Sequence, residues 1–222
     1  MKSSNNKSDI DNISEHPLYE ENIKKVNENP YYLESMSAQF KNNEEFILFV
    51  VSKDGLALQF SSQEMKNNKE VVLAAVANNG NALKYINESL RQDKEVLLTA
   101  VKENGNALYH SSQELQNDYD VVLAAVKQDG GSLCYASDVM RDNKKIIYTA
   151  LKTNKNSFIY ASDELKHDLE LLELYFLDFE IHNADNEVFY NQCKIKFNIL
   201  KEQEYLEKNI PESNSKHKVK KF

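Results

Sequence analysis

The chain has little of what stabilises or activates many small proteins. Its 222 residues include two cysteines, Cys134 and Cys193, and neither has a neighbouring thiol or ligand at metal-site spacing. No disulfide or zinc framework is expected, and the usage fits a reducing compartment. At this length a chain buries enough core to need neither. No run of about 18 apolar residues exists, so stable membrane insertion is not expected. The opening M-K-S-S-N-N-K-S-D lacks the apolar stretch of a secretory signal, which points to a cytoplasmic protein or to export by a signal-peptide-independent route. Basic charge is also short: 27 Lys and Arg against 35 Asp and Glu give a formal net charge of -8. Binding a phosphate backbone requires a dense basic face, so nucleic acid is not an expected partner. The sequence contains no nucleophile elbow, phosphate loop or metalloprotease helix, and nothing in it calls for a cofactor.

Glycine is rare as well, and its placement is informative. Gly55, Gly80, Gly105 and Gly130 stand 25 residues apart, with Lys155 next in the series. D-K-E-V-L-L-T-A-V-K-E-N-G-N-A-L from Asp93 nearly repeats as D-Y-D-V-V-L-A-A-V-K-Q-D-G-G-S-L from Asp118. A strict short period predicts a stacked array: an all-α solenoid of short two-helix repeats with helical caps at both ends.

Each copy opens on Asn68, Asp93, Asp118, Asn143 or Asp168, residues whose side chains accept from the free amides of a helix's first turn. Acidic residues follow at Glu70, Glu95, Asp120 and Glu170, as the helix dipole favours, with Lys145 the departure. Val71, Val72, Leu73, Ala75 and Val76 make this inner helix apolar over a wide arc, so neighbours must cover it on more than one side. The periodic glycines read as left-handed C-terminal caps, which makes Lys155 a strained replacement and its turn an expected exception. A shorter amphipathic helix follows, and Ser62, Asn87, Ser112, Ser137 and Ser162 cap a last turn. The expected organisation is a disordered tail over 1–16, a degenerate capping repeat over 17–43, the array over 44–168, a helical cap over 169–210 and a basic flexible tail over 211–222.

The phrase D-x-E-V-V-L-A-A-V-K-x-N-G-x-A-L-x-Y-A-S-x-E-L, which the copies from Asn68 to Leu165 approximate, resembles the repeat family known as domain of unknown function 4116. The resemblance covers roughly residues 41–170. It implies helical repeats and no assigned activity, in a family common in amoebae and in proteins that intracellular bacteria deliver into host cells. Pro30 and Lys155 at the glycine position, His110 in the aromatic row and Val139 at an acidic position depart from it. Glu202, Glu204, Glu207 and Glu212, followed by Lys216, Lys218, Lys220, Lys221 and Phe222, resemble the glutamate-rich tail signal of type IV effectors. The same residues also read as a solvated helix face with an ordinary Glu204–Lys208 pair.

Function in a solenoid resides in rows of equivalent positions where the copies differ. The row Gln59, Lys84, Tyr109, Cys134 and Ile159 turns apolar toward its C-terminal end. It is the candidate partner-binding surface, with Lys84, Tyr109, Cys134 and Ile159 as its site residues and a protein, of a host cell if the chain is exported, as the partner. Coverage by neighbouring elements is the competing reading. The aromatic row Phe60, Tyr85, His110, Tyr135 and Tyr160 reads first as packing. Lys102, Lys127 and Lys152 either steer an acidic partner or are simply solvated at helix ends. For an enzyme, the one constellation is Asp178, Glu180, His182, Asp185 and Glu187, which suits a divalent metal if helical and reads more naturally as a turn. The leading expectation is a non-enzymatic protein-interaction module. A metal-dependent hydrolase or transferase and a self-assembling spacer are the alternatives.

Overall fold

The computed structural model describes residues 13–176 and 187–209, and among these there is no strand. Eight α-helices carry the architecture: α1 (Tyr19–Glu28), α2 (Glu44–Lys53), α3 (Lys69–Asn78), α4 (Lys94–Glu103), α5 (Tyr119–Gln128), α6 (Lys144–Thr153), α7 (Leu169–Phe176) and α8 (Glu187–Asn209). Each start from α3 to α7 has its expected cap, and Asn43 caps α2 in the same way. Asp93 Oδ1, for example, accepts from the amides of Glu95 at 2.9 Å and Val96 at 3.3 Å. Helices α2 to α6 pack in sequence, each against the next. Two flanking neighbours explain the broad apolar arc, and Val96, Leu97, Ala100 and Val101 of α4 are fully buried. A helix of about ten residues is marginal alone, so stacking supplies the stability of each copy. The protein is an all-α solenoid.

The second part of each copy is a six-residue 3-10 helix, such as Gly80–Tyr85 or Gly105–His110, followed by a separate single turn such as Gln113–Gln116. Ser112 Oγ accepts from Leu115 N at 3.4 Å and Ser137 Oγ from Met140 N at 3.3 Å, whereas the Asn87 side chain makes no cap bond. Backbone bonds stitch the copies together here: Ser137 N donates to Gln116 O and Ser162 N to Arg141 O, both at 3.0 Å.

The glycine reading needs correction. None of these glycines has a left-handed φ. The chain reverses at the preceding residue, where Asp54, Asn79, Asn104, Asp129 and Asn154 have extended backbones. These side chains then cap the 3-10 helix, as when Asn104 Oδ1 accepts from Asn106 N at 3.0 Å. Glycine is required for a different reason. A β-carbon on Gly80 would lie 2.5 Å from the carbonyl oxygen of Ala100, and one on Gly105 would lie 2.6 Å from that of Ala125. The turn of one copy thus lies directly on the inner helix of the next, a close backbone approach that only glycine allows. Lys155 opens its 3-10 helix just as the glycines do, so its turn is no exception. In the register that pairs Gly105 with Ala125, Lys155 falls opposite Tyr175 and Pro30 opposite Val50, so larger residues stand on both sides at the two end interfaces.

The ends are sealed as the apolar pattern predicts. Val26, Leu33 and Phe40 of the N-terminal copy are buried, and Pro30 opens its 3-10 helix. Ile13 is only 1% exposed, and the His16 ring meets Phe40 edge-on at 4.8 Å, so an apolar residue inside the polar tail covers the first copy. At the other end Leu171, Leu172 and Tyr175 are buried, with Leu174 and Phe176 packed partly buried against the core. α8 packs on α7. Phe179 and the basic tail lie outside the described residues.

Candidate functional site

The stacked 3-10 helices form one continuous face, with Gly55–Phe60, Gly80–Tyr85, Gly105–His110, Gly130–Tyr135 and Lys155–Tyr160 in contact in order. In each, the second and third residues after the opening position enter the core, as Ala107 and Leu108 do, and the fourth turns outward. That outward position is the row Gln59, Lys84, Tyr109, Cys134 and Ile159. Gln59 and Cys134 are half-buried, and Lys84 is exposed. Tyr109 is 63% exposed and Ile159 41%. Tyr109 also meets the next copy's Tyr135 edge-on at 5.3 Å and its own neighbour His110 at 5.0 Å. Tyr160, 38% exposed, extends the surface beside Ile159.

This face repeats without interruption, and the family comparison follows the same period. The family described as a domain of unknown function, DUF4116, matches over residues 22–66, 43–91, 68–116, 93–141 and 118–166. The chain belongs to the DUF4116 family. No curated protein and no solved structure matches it.

Two rows of the DUF4116 array that the sequence reading overlooked hold this face in place. The first is Lys41, Lys66, Arg91 and Gln116. Lys66 Nζ donates to Gln59 O at 2.6 Å, Arg91 Nη2 to Ile86 O at 3.1 Å and Lys41 Nζ to Glu34 O at 2.7 Å, closing off carbonyls left free at the ends of the 3-10 helices. Their fixed spacing was the available signal. The second row bridges the glycine contacts. Gln128 Oε1 accepts from Gly105 N at 2.7 Å while its Nε2 donates to Glu103 O at 3.2 Å, and Asn78 does the same for Gly55 and Ser52.

Electrostatics make the face quiet at neutral pH. Burial, then the charges of Arg91 and Lys84, lower the His110 pKa, which leaves a neutral ring. Burial pushes the Cys134 thiol up despite a hydrogen bond with Tyr135, and burial takes Cys193 to about 11. Protonated thiols of this kind are poor nucleophiles. The Lys84 ammonium lies 4.8 Å from the centre of the Tyr85 ring.

The other sequence candidates fall elsewhere. Phe60, Tyr85, His110 and Tyr135 are half-buried. Lys102, Lys127 and Lys152 are exposed. The first-turn acids Glu95, Asp120 and Glu170, with the caps Asp93, Asp118 and Asp168, are engaged by the preceding copy. Lys69 reaches Asp93 and Glu95 at 2.8 Å, Lys94 reaches Asp118 at 2.8 Å and Asp120 at 3.0 Å, and Lys144 reaches Asp168 at 2.8 Å and Glu170 at 2.9 Å. Asp178, Glu180, His182 and Asp185 lie outside the described residues, as does the side chain of Glu187. Among the described residues, no group of three or more potential ligands could hold a metal ion, and no helix is long and apolar enough to cross a membrane.

Proposed function

We propose that the array is a non-enzymatic protein-binding module and that it binds through the C-terminal half of its 3-10 face. The observation that carries this reading is the exposure of Tyr109 and, two copies further on, of Ile159 and Tyr160, with Cys134 half-buried on the copy between them and Lys84 at the polar end. Exposed aromatic and aliphatic side chains on a rigid support suit partner recognition, because little order must be gained on binding. Tyrosine contributes a large contact area for few rotatable bonds and retains a polar hydroxyl at the rim.

The setting we propose is a host cell, with the chain delivered by a bacterial type IV route and its partner a host protein. What supports this is the exposed glutamate cluster of α8, where Glu202 and Glu207 face solvent and Glu204 pairs with Lys208 at 2.5 Å. A reporter fused to the chain should reach host cytosol, and charge reversal of Glu202 and Glu207 should reduce delivery. Unchanged delivery would remove that support. The binding surface is tested separately by placing a photo-reactive residue at Tyr109 or at Lys102 on the opposite part of the copy. Adducts are expected from position 109 and not from 102, and the reverse pattern would reject the assigned face.

A further inference from the structure

α8 is apolar on two opposite sides. Tyr190, Cys193, Phe197 and Leu200 turn toward the array, where Cys193 is buried and the other three pack partly buried against the core. An ion pair between Lys201 and Glu173 fastens the same side to α7. The opposite side carries Val188, Ile195, Ile199 and Leu206, which are 71%, 63%, 45% and 53% exposed. With 3.6 residues per turn, these four fall within roughly 20° of a single line along the helix. Among the described residues nothing covers them.

We propose that this stripe is a homodimer interface, in which α8 packs antiparallel against α8 of a second copy about a two-fold axis at the level of Phe197. The spacing is self-complementary in that arrangement. Val188 and Leu206 lie equally far on either side of residue 197, and so do Ile195 and Ile199. A two-fold therefore sets Val188 against the partner's Leu206 and Ile195 against the partner's Ile199, which is the isologous pattern that closes at a dimer. Charge agrees with the direction. Antiparallel packing brings Gln192, an amide donor, level with Glu202 of the partner subunit, and Asn191 level with the partner's Gln203. Parallel in-register packing would instead align Glu202 with its own copy, a like-charge contact that costs stability. Near the axis Lys196 falls level with the partner's Asn198, and it is exposed and directed away from the stripe.

The stripe offers roughly 800 Å² of apolar surface over two copies, and its polar rim brings the contact near the lower bound of about 1,200 Å² for specific association. The dimer is accordingly weak and reversible. It presents two solenoid faces at once, which raises apparent affinity for any partner with two accessible sites.

Sedimentation velocity on the full chain, from low to high micromolar concentration, tests this. The expected result is a mass that rises toward the dimer with concentration. The Ile195→Glu, Ile199→Glu variant should remain monomeric throughout with unchanged helicity by circular dichroism. Orientation is read with a short thiol-reactive crosslinker in a Cys134→Ser, Cys193→Ala background. A Val188→Cys chain should couple to a Leu206→Cys chain and not to itself. A monomer at every concentration would assign the stripe to another protein or to residues 210–222 and overturn the proposal. A dimer that survives the double glutamate variant would also overturn it, as would Val188→Cys chains that couple to one another.

Discussion

The carbonyl oxygen of Ala125 lies 2.6 Å from where a β-carbon on Gly105 would stand. One copy's turn and the next copy's inner helix are therefore in backbone contact, and this contact sets the spacing of the array. The space is closed further by Gln128, whose carboxamide bridges Gly105 N and Glu103 O.

Gly105→Ala should destabilise the protein by about 1–3 kcal/mol through overpacking at the interface. Gly105→Asn should cost at least as much. A left-handed cap would instead tolerate asparagine nearly as well as glycine. Gly131 is the internal control, because its neighbours are flexible side-chain atoms and other copies carry Asn81, Asn106 and Asn156 there. Gly131→Asn should be close to neutral. Urea denaturation of the three variants separates the two accounts.

A charge swap within the ladder gives a second prediction. Where Lys94 meets Asp118 and Asp120, the next interface sets Tyr119 against Lys145, with the ammonium 5.9 Å from the ring centre. The cap at that interface is Asn143, not aspartate. Throughout the chain the cap is aspartate where the preceding copy supplies a lysine (Lys69–Asp93, Lys94–Asp118, Lys144–Asp168) and asparagine where it does not (Tyr19–Asn43, Glu44–Asn68, Tyr119–Asn143). Tyr119→Lys alone should destabilise by setting lysine beside Lys145. Adding Lys145→Glu and Asn143→Asp should restore stability, with a coupling of about 0.5–1 kcal/mol, as for other exposed pairs. Additive effects in a double-mutant cycle would contradict the ladder.

The same ladder predicts the pH response. The hydrogen bond from Lys69 holds Asp93 below the usual carboxylate range. Burial pushes Asp118 up, but the bonds from Lys94 and the amides of Val121 and Asp120 outweigh it and leave its pKa lowered. A carboxylate with a lowered folded pKa contributes stability above its unfolded value of about 3.9 and loses it as pH falls through the folded value. Bonds to their carboxylates raise the pKa of Lys69, Lys94 and Lys144, so their contribution is complete below about 10.4 and is lost as pH rises through the raised value. His110, with its lowered value, takes stability away as pH falls below about 6.5, and Cys193, with its raised value, takes it away as pH rises above about 8.5. The melting temperature should therefore be highest between these and fall at both ends. Lys94→Ala should shallow the acid limb, and a melting temperature that rises on acidification would contradict the assignment.

Much of the fold was legible because its causes are local and periodic. Asn68, Asp93 and Asp118 announced helix starts, and the wide apolar arc from Val71 to Val76 announced neighbours on two sides. The role of glycine was not legible from one copy, because a glycine just after a helix serves a left-handed cap and a close backbone approach equally well. The deciding signal was present in the exceptions. Proline has a fixed negative φ, so Pro30 in the glycine position is incompatible with a left-handed cap. An Asn or Asp before that position in every copy, including those of Pro30 and Lys155, marks the residue that makes the turn. The proposed binding face was only partly legible. The row Lys84, Tyr109, Cys134 and Ile159 could be picked out by its variation, but its exposure depends on how far each 3-10 helix rotates over the next. The supporting row Lys41, Lys66, Arg91 and Gln116 was overlooked, because its role lies in carbonyl contacts that spacing alone does not reveal.

The most direct test of the binding account is a pull-down from eukaryotic cell lysate with the wild-type chain and a Tyr109→Ser, Cys134→Ser, Ile159→Asn variant of equal helicity. The account predicts one specific protein partner captured by the wild type and lost from the variant. Capture of the same partner by both chains would contradict the assigned face, and capture of nothing by the wild type would contradict the binding role itself.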